Sequence, residues 1–305
     1  MHTGSRTSRQ RATLLLAATT TLWGTVPLIV RSVDVPSAAI VAARFWFAAA
    51  ALGAVLLWER RRQRPSGPPV WSLHRGRCVL VCVVLAVHWL CEIAAYQRAP
   101  VGTVLFIIFL APVGIAALAP RVLHERLEAP TIAALALAVA GFAVMSGRAL
   151  DASGGVGLAL ALVAAATFVV LVLLNKPLAD AYGGIRAAQI QMTGAGVLIA
   201  PVVLFTVHLP SPQPSWLWLI VLGVVHTGLA IAVYLTALSV VGATTTGVLG
   251  YLEPATAVLW AWLVLNEQPA AVTLVGGAAI LIAGLLVVRN ERSNREIAEA
   301  ISVLG

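Results

Sequence analysis

The sequence predicts an all-α integral membrane protein with ten transmembrane helices arranged as two inverted five-helix repeats. Three observations lead there. The 305 residues are 60% apolar and only 10% charged, too little polar surface to face water as a soluble domain. Apolar runs of about 20 residues, the length that crosses about 30 Å of hydrocarbon, recur ten times between short polar or Pro/Gly-marked loops. A Pro followed thirteen residues later by Glu occurs twice, Pro112 with Glu125 and Pro254 with Glu267, at a shift of 142 residues.

The elements follow in order. Residues 1–12 form an amino tail carrying Arg6, Arg9 and Arg11. The first span, 13–31, runs on through Trp23-Gly24 to Pro27 with no small-residue cleavage site, so it reads as a retained helix rather than a signal peptide. Further spans are expected at 37–58, 78–95, 101–120 and 129–147, completing a first unit at 13–147. The second unit, 148–289, holds spans at 154–175, 186–207, 216–238, 243–265 and 270–289, and a tail at 290–305 follows.

Charge sets the orientation. Of 20 Lys and Arg residues, 16 fall in the two tails and in the second, fourth and sixth loops, with Arg31, Arg98 and Arg148 opposite and Arg44 inside a span. Basic loops stay in the cytoplasm, so both termini are expected there, in a plasma (inner) membrane protein. The net charge of +8 therefore reports topology and not nucleic-acid binding, because the arginines are scattered over short tethered loops. The expected partners are the lipid bilayer and a small-molecule substrate, with a homodimer left open. Cys78, Cys82 and Cys91 lie in one apolar run, match no zinc or redox spacing, and read as packing residues. No metal and no cofactor are expected.

The shift of 142 residues also lays Ala95 on Ala237 and the short connection 96–100 on 238–242. Five helices per unit is an odd number, so the second copy enters the membrane from the other side, the design that supports alternating access. Trp23-Gly24-x-x-Pro27, Leu110-Ala111-Pro112 with His124-Glu125-Arg126, and Leu252-Glu253-Pro254 with Asn266-Glu267 carry a resemblance to the EamA family of the drug/metabolite transporter superfamily, over about residues 12 to 289. The resemblance implies a transporter, most often an exporter of amino acids or related metabolites, with a central cavity between the halves. The second half has Thr167-Phe168 in place of a Trp-Gly pair, and Glu92 stands where the repeat gives Tyr234.

Three charged residues fall inside spans, Arg44, Glu92 and Glu253, and each costs about 2.5 to 3.5 kcal/mol at a helix centre on insertion scales. Arg44 and His88 each lie seven residues from an external helix end, about 10 Å deep, and Glu92 follows His88 by four on the same helix face. A cluster of the three reads equally as a clamp for a carboxylate and as an ion pair pinning the second span to the third. His226 and Glu253, each ten residues into its helix, are expected about 15 Å deep, facing a shared polar cavity where a proton can pass between them. Trp89 and Tyr251 beside these groups are the preferred cavity aromatics, and Gln189 and Gln191 are further polar candidates. Pro27, Pro112 and Pro254 are expected to kink their helices, and Glu125 and Glu267 to bond an amide at the start of the following helix.

The leading function is a secondary transporter exporting a small polar or amphipathic metabolite, driven by a proton or substrate gradient. No phosphate-binding Gly-x-x-x-x-Gly-Lys-Ser/Thr loop is present for ATP. The alternative is an intramembrane enzyme using His88, Glu92 or His226 as acid and base. Against it, the sequence has neither Gly-x-Ser-x-Gly nor His-Glu-x-x-His and no extramembrane domain for a soluble co-substrate.

Overall fold

The computed structural model describes the backbone of residues 3–31, 33, 36–62, 74–96, 98–99, 101–146, 155–206, 215–266 and 268–304, and among these there is no strand. A chain this apolar must satisfy its backbone internally in lipid, and the helix does so within one segment. The first half holds α1 (Thr3–Trp23), α2 (Val26–Arg31), α3 (Ser37–Arg61), α4 (Arg75–Tyr96), α5 (Val101–Ile108), α6 (Ala111–Val122) and α7 (Ala129–Ser146). The second holds α8 (Gly155–Tyr182), α9 (Gly184–Thr206), α10 (Ser215–Val221), a π-helical segment Leu222–Leu229, α11 (Ala230–Val241), α12 (Ala243–Gly250), α13 (Leu252–Leu265) and α14 (Ala271–Leu304).

Six of the described helices are long and apolar enough to cross a membrane: Ser8–Val30, Ala38–Arg61, Gly155–Tyr182, Trp216–Val241, Ala243–Val264 and Ala271–Asn290. Two shorter apolar helices, Ala111–Val122 and Ala129–Met145, join them. Large apolar side chains face outward on most of these, among them Leu217, Leu263, Val275 and Leu285, as lipid contact requires. The chain is a multi-pass helical membrane protein.

Several boundaries differ from those the sequence suggests, among them the last, since α14 runs on from the expected end at 289 to Leu304. Helix α8 does not stop at Asn175 but continues through Lys176 and Pro177 to Tyr182, where Lys176 pairs with Asp180 at 2.8 Å one turn on. The prolines do more than kink. The fourth and ninth spans are each split, α5 ending at Ile108 before α6 opens at Ala111, and α12 ending at Gly250 before α13 opens at Leu252. Proline early in a helix gives up an amide that would be unbonded there anyway, so Pro112 and Pro254 start new helices. Trp23 likewise ends α1, and the chain turns at Gly24 and Thr25 before α2.

Helices pack through small residues. A Cβ on Gly141 of α7 would lie 2.7 Å from the carbonyl oxygen of Gly276 on α14, so these two backbones touch only because both residues are glycine. Helix α4 lies against α8, α1 against α11, and α3 against both α9 and the π-helical segment. Buried threonines return their hydroxyls to the preceding turn of their own helix, as Thr19 does to Leu15 O at 2.8 Å and Thr20 to Leu16 O at 3.1 Å, which satisfies them in the interior.

Candidate functional site

The site is built where the π-helical segment meets α3. Gly223 and Gly228 bring that segment's backbone against α3, and a Cβ on Gly228 would sit 3.2 Å from Ala48 Cα. One extra residue in the turn leaves Thr227 facing α3 and His226 facing Thr25 between α1 and α2, the kind of local rewinding found at functional positions. Arg44, seven residues into α3, donates from Nε to Thr227 Oγ1 at 2.9 Å. Thr227 passes its own proton to Leu222 O at 2.8 Å, so its oxygen is left to accept from the guanidinium.

The Arg44 guanidinium lies 4.5 Å above the Trp89 ring, and Trp89 in turn stacks on Phe45 with centroids 4.5 Å apart. A cation over an aromatic face recovers part of the hydration it gives up on entering the membrane. The carboxylates of Glu92 and Glu253 are both within electrostatic reach of this guanidinium, and Glu253 also acts on the buried Tyr234 hydroxyl. Arg44 thus sits on a floor of aromatic rings inside the helical bundle, with the charges of Glu92 and Glu253 felt at its guanidinium.

The expected Arg44, His88, Glu92 cluster forms only in part. His88 turns to α8, where Nδ1 meets Ala164 O at 2.9 Å and Thr167 Oγ1 at 3.3 Å, leaving Nε2 3.8 Å from Glu92 Oε2. Because Thr167 spends its proton on α8 carbonyls, Nδ1 carries the hydrogen and Nε2 faces the carboxylate. Arg44 joins this pair through Trp89 rather than through His88, and among the described residues it forms no ion pair. Pinning of α3 therefore runs through Thr227 and not through a carboxylate.

His226 and Glu253 approach the same break without bonding each other. Trp23 Nε1 donates to His226 O at 2.7 Å, and His226 Nε2 lies 2.9 Å from Thr25 Oγ1, so the Trp-Gly break grips this residue twice. Gly24 between them is in contact with α13: a Cβ there would lie 2.8 Å from Ala257 N and 3.0 Å from Glu253 O. Thr25 donates its hydroxyl to Leu22 O at 2.7 Å, so Nε2 must be the donor toward Thr25, while Nδ1 faces Val221 O at 3.3 Å.

Tyr251 and Gln189 lie elsewhere. Tyr251 is fully buried and donates its hydroxyl to Phe109 O, with Phe142 packed on both rings, so it closes the broken helices and lines no open space. Gln189 bonds Thr193 at 2.9 Å and sits beside Gly53, nine residues along α3 from Arg44 and so about 13 Å away. Gln191 accepts from Asn175 at 3.4 Å in a separate buried polar pair. Glu125 reaches across the molecule: both its oxygens lie 2.9 Å from Ala243 N, the first amide of α12, instead of capping α7. Glu267 falls outside the described residues.

The EamA-like transporter family profile matches residues 10–147 and again 155–289. The chain belongs to the EamA-like transporter family. Its relatives agree with this EamA assignment. A protein of Archaeoglobus fulgidus named as an uncharacterized transporter is 26% identical over 281 residues, covering 92% of this chain and 96% of the relative. A probable terminal-alkyne amino-acid exporter of Streptantibioticus cattleyicolor is 28% identical over 198 residues, 64% of this chain and 66% of that one. A solved crystal structure superposes with a TM-score of 0.78 at 21% identity, covering 93% of this chain and 99% of that chain, and shares the fold. This EamA protein is accordingly a membrane transporter.

Sequence reasoning missed Thr227, Thr25, Tyr234 and the π-helical turn of this EamA chain. The available signal was the pair Gly223 and Gly228 bracketing His226-Thr227 inside an otherwise apolar span. Among the described residues no three His, Cys, Asp or Glu side chains come together as a metal site.

Proposed function

We propose that this transporter exports a small zwitterionic or amphipathic metabolite of the amino-acid kind, by alternating access between two inverted five-helix repeats. The observation that carries the reading is Arg44 held over Trp89 and bonded to Thr227, with the charges of Glu92 and Glu253 felt at its guanidinium. A guanidinium with further donors beyond Nε suits a substrate carboxylate, the carboxylates suit an ammonium, and the rings suit an apolar side chain. The amino-acid exporter among the relatives points the same way.

The repeat design is supported by matched positions: α5 and α12 begin 142 residues apart, at Val101 and Ala243, and so do α7 and α14, at Ala129 and Ala271. Ten crossings, with both termini in the cytoplasm of a cell with a plasma membrane, follow from the spans and the distribution of arginine. His226, whose Nε2 meets Thr25 at the Trp-Gly break, and Glu253, whose carbonyl packs on Gly24 of the same break, supply groups that can exchange a proton as the cavity opens to each side. No specific observation favours the intramembrane enzyme.

The test is an untargeted comparison of compounds released by cells with the wild-type protein, with Arg44→Ala and without the gene. Release of an amino-acid-like compound by wild type alone supports the reading. Equal release from all three overturns it.

A further inference from the structure

We propose that a cleft bounded by α1, α3, α9 and α11 binds one acyl chain of an anionic phospholipid from the cytoplasmic leaflet, with Arg11 holding the headgroup. The cleft has a volume of about 1040 Å³. Its walls are largely apolar, formed by Leu14, Leu15, Leu52, Leu229, Val233 and Val240 among others; its polar lining is Ser8, Gln10 and Arg11 on α1 and Thr236 on α11, whose hydroxyl is given to Ala232 O at 2.7 Å. Leu14, Leu15 and Leu229 are each more than two-fifths exposed along the rim, so the cleft opens sideways toward lipid.

Length and charge select the occupant. From Leu229 to Val240 the α11 side of the cleft runs eleven residues, about 16 Å, which is half of a hydrocarbon core of about 30 Å. The cleft is as long as one leaflet is deep. Val240 marks the surface end, since Ser239, Val240 and Val241 share a second, smaller hollow with Arg9 of α1, so α1 and α11 meet there with Arg11 one turn or less away. That end carries the basic amino tail, and basic residues at a membrane surface draw anionic lipid. The walls hold no charged side chain, so a polar solute entering there would lose its hydration without a partner, whereas an acyl chain loses nothing. Arg44 and its carboxylates lie eight residues from Leu52 along α3, about 12 Å toward the other side.

The orientation rests on the cytoplasmic amino terminus proposed above, but the binding test does not depend on transport. The full-length protein, purified in mild detergent, is mixed with equal amounts of phosphatidylglycerol and phosphatidylcholine of the same chain length, and retained lipids are counted by native mass spectrometry. Wild type is expected to retain one phosphatidylglycerol in preference to phosphatidylcholine. Arg11→Gln should lower that preference about fivefold, the factor expected of one basic residue at an anionic surface. Val233→Trp, which fills the cleft, should abolish retention of both, and Leu15→Trp at the rim serves if that protein fails to fold. Equal retention of both lipids by wild type, or unchanged retention in the filled cleft, overturns the proposal. So does a dimer that Leu15→Trp dissociates, since the cleft would then be covered by a second copy. Loss of transport in Arg44→Ala with lipid retention intact separates the two readings, and lipid loss in Arg11→Gln with intact transport does the converse.

Discussion

Tyr251 donates its hydroxyl to the carbonyl of Phe109, the residue 142 positions before it, and the two rings stand 6.0 Å apart. Under the repeat shift these are the same position in the two halves, so each helix break is packed against its own counterpart. The bond also satisfies a carbonyl that the break at Phe109 and Leu110 releases from the helical ladder.

Tyr251→Phe keeps the ring packing and removes only that bond, and is expected to cost about 1 to 3 kcal/mol. Tyr251→Ala should cost about 3 to 5 kcal/mol, because a cavity is added among Phe109, Phe142 and the broken helices. Thermal unfolding in detergent, followed by tryptophan fluorescence, separates the two. Equal melting temperatures for wild type and Tyr251→Phe would mean that the carbonyl is satisfied some other way.

Arg44→Ala is expected to weaken transport at least tenfold, the equivalent of about 1.4 kcal/mol, while the amount of folded protein in the membrane falls by less than half. Arg44→Lys should recover little, since a lysine cannot both bond Thr227 and lie flat over Trp89. Transport assays are to be normalised by quantitative immunoblot of membranes. Disappearance of both variants from the membrane would assign Arg44 to holding α3 against the π-helical segment.

Glu253→Gln is isosteric and cannot ionise, so it should preserve folding, weaken the hold on a substrate ammonium and remove the response of transport to a pH gradient. Glu253→Ala should lose binding as well. Proteoliposomes with and without an imposed gradient distinguish these outcomes. Full pH-driven transport by the Gln variant would remove Glu253 from the proton path and leave His226 to be tested alone by His226→Gln.

Gly276→Leu places a side chain against the backbone of Gly141 and Met145, where even a Cβ would lie 2.5 Å from Met145 N. Backbone cannot yield as a flexible side chain can, so a loss above the about 1 to 3 kcal/mol typical of overpacking is expected. Lowered yield of monodisperse protein on size-exclusion chromatography reads this out, and Gly277→Leu, with open space beside it, is the control.

Glu125→Ala removes the carboxylate that both oxygens bring to Ala243 N, and should destabilise by about 0.5 to 2 kcal/mol, as loss of a helix cap does. Gly242, with φ of 89°, stands directly beside that carboxylate, so Gly242→Ala should cost stability too, through backbone strain and through crowding of Glu125. Hydrogen exchange at the start of α12 measures both.

What the sequence determined by itself was whatever depends on each residue's relation to its solvent. Runs of apolar residues located the helical spans, Pro112 and Pro254 located the two breaks to within three residues, and the recurrence of Pro and Glu at a shift of 142 set the register between the halves. These are sums over neighbours in the chain, and lipid reads them one segment at a time. The choice of partners was decided only by the tertiary structure, because each residue along a helix turns the side chain by about 100°. An error of one residue in span position, or one extra residue in a turn, therefore redirects every contact. The π-helical turn does this to Thr227, which is why Arg44 bonds Thr227 and not His88. Glu125 shows the same limit at longer range: its spacing marked a helix end, but that its carboxylate reaches Ala243, 118 residues away, follows from how the two halves pack and not from anything adjacent in the chain.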